Sequence, residues 1–239
     1  MDVVEQRKLA AEQVEAFYHE DFVDDQVRDF GTLMPDAGTR GVVVDVGGGC
    51  GFMAKQLQDV IGVATRVIDM DPKSVSACAE IGVDAREGDA LAPDLAGDEG
   101  SACFNLILHH LVGRNEDETR ALQVSALKAW RGVGAVFVNE YIYESFVPRV
   151  SGRLIYEITS SQILSSIGYQ IGRVIKSLRA NTFGVGVRFR SHDEWRDLFA
   201  EAGYIVVGTV IGTPEPVSPP LRGLLIKTIR RDSYRLEPA

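Results

Sequence analysis

Hydrophobic positions along the chain follow two rhythms. Over the first 35 residues, Val3, Leu9, Val14, Phe17, Val27 and Phe30 recur at roughly helical intervals with acids and glutamines between them. Gly31, Pro35 and Gly38 then break that pattern. From residue 41 onward, short β-branched runs alternate with helical stretches. The pattern predicts strands at 41–46, 63–69, 83–88, 103–109 and 133–140, and helices at 51–60, 72–80 and 116–130. Pro72 opens the second of these helices, and residues 90–102 read as a loop. Apolar runs that end in glycine are what strands buried on both faces look like.

The alternation then stops. Residues 143–187 form an insertion with helical patches and no evident strand. Regularity returns at 191–203, where Ser191 and Glu194 form a capping box and Gly203 a helix stop. Two late strands, 204–212 and 221–229, are joined by the Pro-rich 213–220, which suits an antiparallel pair. Strand and helix alternating at this pace predict an α/β fold: a doubly wound, mostly parallel sheet of right-handed crossovers.

Composition narrows the class. With 239 residues, 45% hydrophobic and 25% charged, the chain has an ordinary globular balance and reads as one domain with additions. The net charge of −9 argues against nucleic acid as a partner, since phosphate-backbone binding needs clustered Lys and Arg. Cys50, Cys78 and Cys103 are too few for a disulfide framework and suggest a reducing, cytoplasmic setting. No apolar run approaches the roughly 18 residues that span a bilayer. The first residues carry charge where a signal peptide needs its apolar stretch.

In an open parallel sheet, ligands bind beyond the carboxyl ends of the strands, so those ends hold the candidate chemistry. The first strand ends in Asp45-Val46-Gly47-Gly48-Gly49-Cys50-Gly51. Glycines allow tight turning and close approach of a ligand, and a helix start follows, with free N–H groups. The dinucleotide fingerprint G-x-G-x-x-G fails in both registers, at Phe52 or at Cys50, and no Gly-Lys-Ser/Thr follows. The second strand ends in Asp69, 24 residues after Asp45, where an acid can accept bonds from a ribose diol. Gly88-Asp89-Ala90 follows the third strand, and Asp89 could accept a bond from an exocyclic amine.

These pieces resemble the class I S-adenosylmethionine (SAM)-dependent methyltransferases of small-molecule type. The resemblance rests on VVVDVGGGCG (42–51), VIDMDP (67–72), REGDA (86–90), FNLILHHL (104–111), GVGAVFVNEY (132–141) and SHDEWRDLFAEAGY (191–204), in the family's order. It implies a Rossmann-like, seven-stranded sheet with an antiparallel last strand. Residues 39–142 would be the SAM-binding core, under N-terminal helices (1–38) and a helical lid (143–190), with 191–239 completing the core. SAM would be the cofactor, and methyl transfer would go to an O, N or C atom of a small organic molecule. Asp45, Gly47, Gly48, Gly49 and Gly51 would hold its methionine part, Asp69 its ribose, and Asp89 its adenine amine, with Met70, Gly88 and Ala90 beside them. Tyr18 resembles tyrosines that close over the cofactor. One departure is Phe104-Asn105, where the family often has Phe-Asp. With the strand at 103–109, Asn105 lies at its start, away from the ligand edge.

Methyl transfer from a sulfonium needs few catalytic side chains, though a base helps where a hydroxyl or amine reacts. His109 and His110, at the end of the fourth strand, are the candidate bases, and His109 could also line the adenosine pocket. Glu140 and Tyr141, ending the fifth strand, are candidates to touch the methyl acceptor. His19 and His192 read as surface or capping residues. From 149 to 190 seven bases face one acid, Glu157, a balance of 7 − 1 = +6. That basic lid could attract an acidic acceptor, pair with the acidic body or form a homodimer contact. Adjacent histidines and isolated cysteines give no metal-ligand spacing. The other readings are a SAM-binding partner protein without transfer activity, and a nicotinamide-dependent oxidoreductase, which the glycine spacing disfavours.

Overall fold

The computed structural model describes residues 23–147, 156–157 and 187–239. Helix α1 (Asp24–Leu33) and the short α2 (Ala37–Arg40) lead into β1 (Val42–Val46). Then follow α3 (Phe52–Gln56), which continues as a π-helical turn (Leu57–Ile61), β2 (Thr65–Asp69), α4 (Pro72–Glu80) and β3 (Asp84–Glu87). The second half comprises β4 (Glu99–Asn105), a 3-10 turn (Leu108–His110), α5 (Glu116–Ala129), β5 (Ala135–Ser145), α6 (His192–Glu201), β6 (Tyr204–Val210), α7 (Pro219–Gly223) and β7 (Ile226–Pro238).

The strands form one sheet in the order β3-β2-β1-β4-β5-β7-β6. Strands β3 to β5 run parallel, and β7 inserts antiparallel between β5 and β6. Strand order reverses between β1 and β4, which makes that junction the topological switch point where such sheets bind ligands. Alternate residues bury opposite faces. Val43, Cys103 and Phe137 pack under α1 and α3. Val44, Phe104 and Val138 pack with Leu127 of α5, with Trp130 just past its end, and with Trp195 and Phe199 of α6. The capping box at Ser191 and Glu194 is formed.

Several expected boundaries move. Gly31 and Gly38 lie inside helices; at Gly31 a Cβ would come within 3.0 Å of Ile61 Cδ1, so the glycine serves close helix packing. The fourth strand is displaced toward the N-terminus, from 103–109 to Glu99–Asn105. Its polar start is drawn in by sheet pairing, with Ser101 fully buried beside Val43. Leu106, with φ 57°, then turns the chain out of the sheet. Asn105 therefore lies at the carboxyl edge, facing the ligand side, opposite to the sequence expectation. Strand β5 extends past Glu140 to Ser145 because β7 continues the pairing beyond the end of β4, Tyr141 lying opposite Arg231. Residues 219–223 are helical, and β7 starts only at Ile226. Its charges hide its strand character from hydropathy, but they are matched in pairs: Arg230 with Asp232, and Arg235 with Glu237. Tyr18, His19 and most of the expected lid lie outside the described residues. No helix among the described residues is long and apolar enough to cross a membrane.

Candidate active site

The carboxyl edge of the sheet collects most of the expected residues. After β1 the backbone turns through Gly47 (φ 66°), Gly49 (φ 55°) and Gly51 (φ 79°), a left-handed region that favours glycine. Gly48 sits directly on Asp45: a Cβ there would be 2.5 Å from Asp45 Oδ2. A Cβ on Gly51 would be 2.9 Å from Cys78 Sγ. A Cβ on Gly49 would meet nothing within 4 Å. A Cβ on Gly47 would overlap Ile107 Cδ1, so three of the glycines are closed in by protein packing, whereas Gly49 faces open space among the described residues.

Beneath that loop lies a buried carboxylate. Asp45 is 1% exposed, and among the described residues neither oxygen has a hydrogen-bond partner of full geometry, the Ala54 N–H lying nearby. Burial pushes its pKa up to about 7, with the negative charge of Asp69 adding to the rise and the Ala54 N–H opposing it. Asp69 does work that sequence spacing does not reveal. Its Oδ2 accepts from Gly49 N at 2.9 Å and its Oδ1 from Asp71 N at 2.9 Å, so it ties β2 to the glycine loop. Burial raises its pKa as well. A carboxylate has about four lone-pair sites, so two remain for a ligand.

Met70 is exposed beside Asp69. Gly88 donates its N–H to Asp69 O at 3.0 Å, keeping the third strand end against the second. Asp89 Oδ1 accepts from Leu91 N at 2.8 Å. Ala90 is buried, and its carbonyl accepts from Trp130 Nε1 at 3.0 Å.

The two histidines sit on the 3-10 turn after β4 rather than on the strand. His109 is buried, and its Nδ1 lies 2.6 Å from Glu140 Oε2. Glu140 is fully buried; its Oε1 accepts from Leu108 N at 2.7 Å and from His109 N at 3.3 Å. Both of its oxygens are therefore spent holding the turn, in place of the expected contact with an acceptor. The ring of His110 lies 4.1 Å from that of His109. It keeps some accessible surface but is crowded by protein atoms, and burial, helped by His109, holds its pKa well below the usual histidine range. Tyr141 and Phe189 pack against His109, and Phe189 stacks on Tyr143 at 4.3 Å.

A buried polar network braces this turn. Gln123 Nε2 donates to Leu108 O at 2.9 Å, and Arg190 Nε donates to Gln123 Oε1 at 2.8 Å. Glu116 receives Arg188 and Arg190 on its two oxygens at 2.7 and 2.8 Å, and Arg188 also reaches Glu194. Two of the seven bases counted in the expected lid are thus engaged with the acidic body. His192, expected at the surface or in a cap, opens α6 beside the capping residue Ser191 and has its Nδ1 within 2.9 Å of both Asp232 Oδ2 and Tyr234 Oη. Neither arrangement leaves a trace in local sequence, because the partners lie tens of residues apart.

No protein-family model matches the chain, and no curated protein matches it. Solved structures do match in fold. MccD has a TM-score of 0.58 at 10% identity, covering 90% of this chain and 97% of its own. The mitomycin 7-O-methyltransferase MmcR gives 0.53 at 13% identity, covering 90% of this chain and 53% of its own. LepI, solved with S-adenosylhomocysteine and a substrate analogue, gives 0.54 at 14% identity, covering 90% and 46%. The chain spans about half the length of MmcR and LepI. The sheet order, the inverted β7 and these matches together show the Rossmann-like fold of the class I SAM-dependent methyltransferases.

Proposed function

We propose that this protein transfers a methyl group from SAM to an O, N or C atom of a small organic molecule. One observation carries the reading: a buried carboxylate, Asp45, that makes no hydrogen bond of full geometry among the described residues lies under an open glycine loop at the switch point of the sheet. A buried charge without a partner is costly unless a ligand supplies one, and the ammonium of an amino-acid tail is such a donor. The residues present fit SAM.

When bound, SAM supplies a methyl group activated on a sulfonium sulfur. The loop at 47–51 takes the amino-acid end against bare backbone, with Asp45 facing its ammonium. Asp69 accepts the ribose hydroxyls on its remaining lone pairs, and Asp89 accepts the adenine amine on Oδ2. Gly88, Met70 and Ala90 would flank the base. His110, kept neutral by burial, accepts the proton of a hydroxyl or amine acceptor. His109 is a positioning residue, fixed by Glu140. Tyr141 faces the acceptor. The mitomycin 7-O-methyltransferase and the NcsB1 O-methyltransferase, the latter solved with SAM and a naphthoic acid, support a small cyclic acceptor by analogy of fold.

The test is turnover with methyl-labelled SAM and a panel of small hydroxylated and amino aromatics. Label transferred to a panel member supports the proposal. SAM binding with no transfer to any member would favour a cofactor-binding partner protein instead.

A further inference from the structure

A cleft of about 330 Å³ opens between α1, the end of β6 and the first half of β7, beside the middle of β5 at Asn139. It adjoins the histidine turn through Tyr141, which pairs in register with Arg231 of the cleft wall. The charges of Arg231 and Glu215, both in that wall, reach the Tyr141 phenol.

Two side chains of the wall have hydrogen-bonding capacity that no described residue uses. Gln26 and Asn139 are each 2% exposed, and Gln26 Oε1 and Asn139 Oδ1 have no partner. The orientation of the Asn139 amide is fixed by its neighbours. Asn139 Nδ2 donates to Ser233 Oγ at 2.7 Å, and Ser233 donates its own hydrogen to Asp29 Oδ2 at 2.8 Å. A carboxylate can only accept, so Ser233 must give its proton to Asp29 and receive from the amide nitrogen. The amide oxygen is thereby left as the unused end.

Leaving a buried acceptor unpaired costs free energy that a ligand donor recovers. Two such oxygens on one cleft call for at least two donated hydrogens. A primary ammonium carries three donor hydrogens, whereas a single hydroxyl gives one and a carboxylate none. The charge of the wall points the same way. Among the described lining residues three carboxylates, Asp25, Asp29 and Glu215, stand against two guanidiniums: Arg28 is within ion-pair distance of both Asp25 and Asp29, and Arg231 of Asp25.

We propose that this cleft binds the amino-bearing end of the methyl acceptor, with Gln26 and Asn139 as the residues that select an ammonium over a hydroxyl or carboxylate. The assignment of the ligand as methyl acceptor rests on the proposed methyl transfer; the amine site itself does not. The test is an NMR titration of the full chain with 2-phenylethylamine, 2-phenylethanol and phenylacetate, alongside a calorimetric titration with SAM. The amine is expected to bind at least tenfold more tightly than the alcohol, and phenylacetate not to compete. Asn139→Leu and Gln26→Met, each close to isosteric, should each weaken the amine at least fivefold. Gln26→Met removes the unpaired oxygen together with the amide nitrogen but keeps the side chain's length, and it carries the test if Asn139→Leu does not fold. Equal binding of the three probes, or amine affinity unchanged in Gln26→Met, would overturn the proposal. Amine binding without SAM binding would keep the amine site and remove its link to methyl transfer. SAM binding without amine binding would do the reverse.

Discussion

Replacing Asp45 by asparagine should stabilise the unliganded protein while weakening its hold on SAM. The carboxyl has an ordinary pKa of 3.8 and stands at about 7 in the folded chain. At 1.36 kcal/mol per pH unit, that displacement is worth about 4 kcal/mol. The sign follows from proton linkage. A group whose folded pKa is raised adds most to stability below its unfolded pKa, and that contribution is lost as pH climbs through the folded value. Stability of the wild-type protein should therefore decline between pH 3.8 and about 7, then level off. An asparagine side chain carries no such charge, so the Asp45→Asn variant should gain progressively over the wild type through this window. For a chain of this size, about 1 kcal/mol moves the melting temperature by roughly 2–4 °C. The variant should thus melt on the order of 10 °C higher at pH 8, with little difference near pH 4. The assay is thermal unfolding of both proteins without ligand from pH 4 to 8. Parallel melting curves across that range would refute the reasoning, since they would mean that Asp45 carries no burial cost.

Three other substitutions separate the roles assigned here. Gly49→Ala places a Cβ in space that no protein atom occupies, so it should cost only about 1–2 kcal/mol of left-handed strain yet lower SAM affinity at least tenfold by calorimetry; unchanged affinity would remove the loop from the cofactor site. Glu140→Gln keeps an oxygen for the Leu108 N–H but loses the carboxylate against His109. It should lower kcat at least tenfold while the KM for SAM stays within twofold, and an equal rise in that KM would place Glu140 in cofactor binding instead. Glu116→Gln leaves Arg188 and Arg190 buried with one carboxylate fewer, at a cost of about 3 kcal/mol or more in denaturant unfolding. Burial pushes the Glu116 carboxyl up, but Arg190 and Arg188 outweigh it and hold it below 4.5. Its contribution is present above pH 4.5 and lost as pH falls through the lowered folded value, so the variant should show a shallower acid limb than the wild type.

The parts of the fold visible in sequence are those with local causes. The helix at 72–80 follows directly from Pro72 and the Asp71 cap, whose side chain accepts from Lys73 N. The helix at 191–203 follows from its capping box. The glycine loop and Asp69 are legible because parallel strands end where their hydrophobic run ends. Strand β4 escapes a local reading because its buried start, Glu99-Gly100-Ser101, looks polar, while Leu106 to Leu108 look like strand. Only tertiary pairing with β1 decides between them. The same displacement hides Asn105 and puts the histidines on a strand that they in fact follow. The Glu140–His109 pair, the Glu116 network and the Asn139–Ser233–Asp29 relay join residues 31 to 204 positions apart. No window of sequence displays such partnerships. Strand β7 is only half visible for an electrostatic reason: charges that cancel in pairs along a strand read as solvent-facing when counted singly.

The most direct measurement is an isothermal titration of the purified chain with SAM, S-adenosylhomocysteine and NAD. Saturable one-to-one binding of the first two, with no heat from NAD, is the predicted outcome. A flat SAM titration, or saturable binding of NAD instead, would contradict the assignment of the glycine loop, Asp45 and Asp69 to a sulfonium nucleoside.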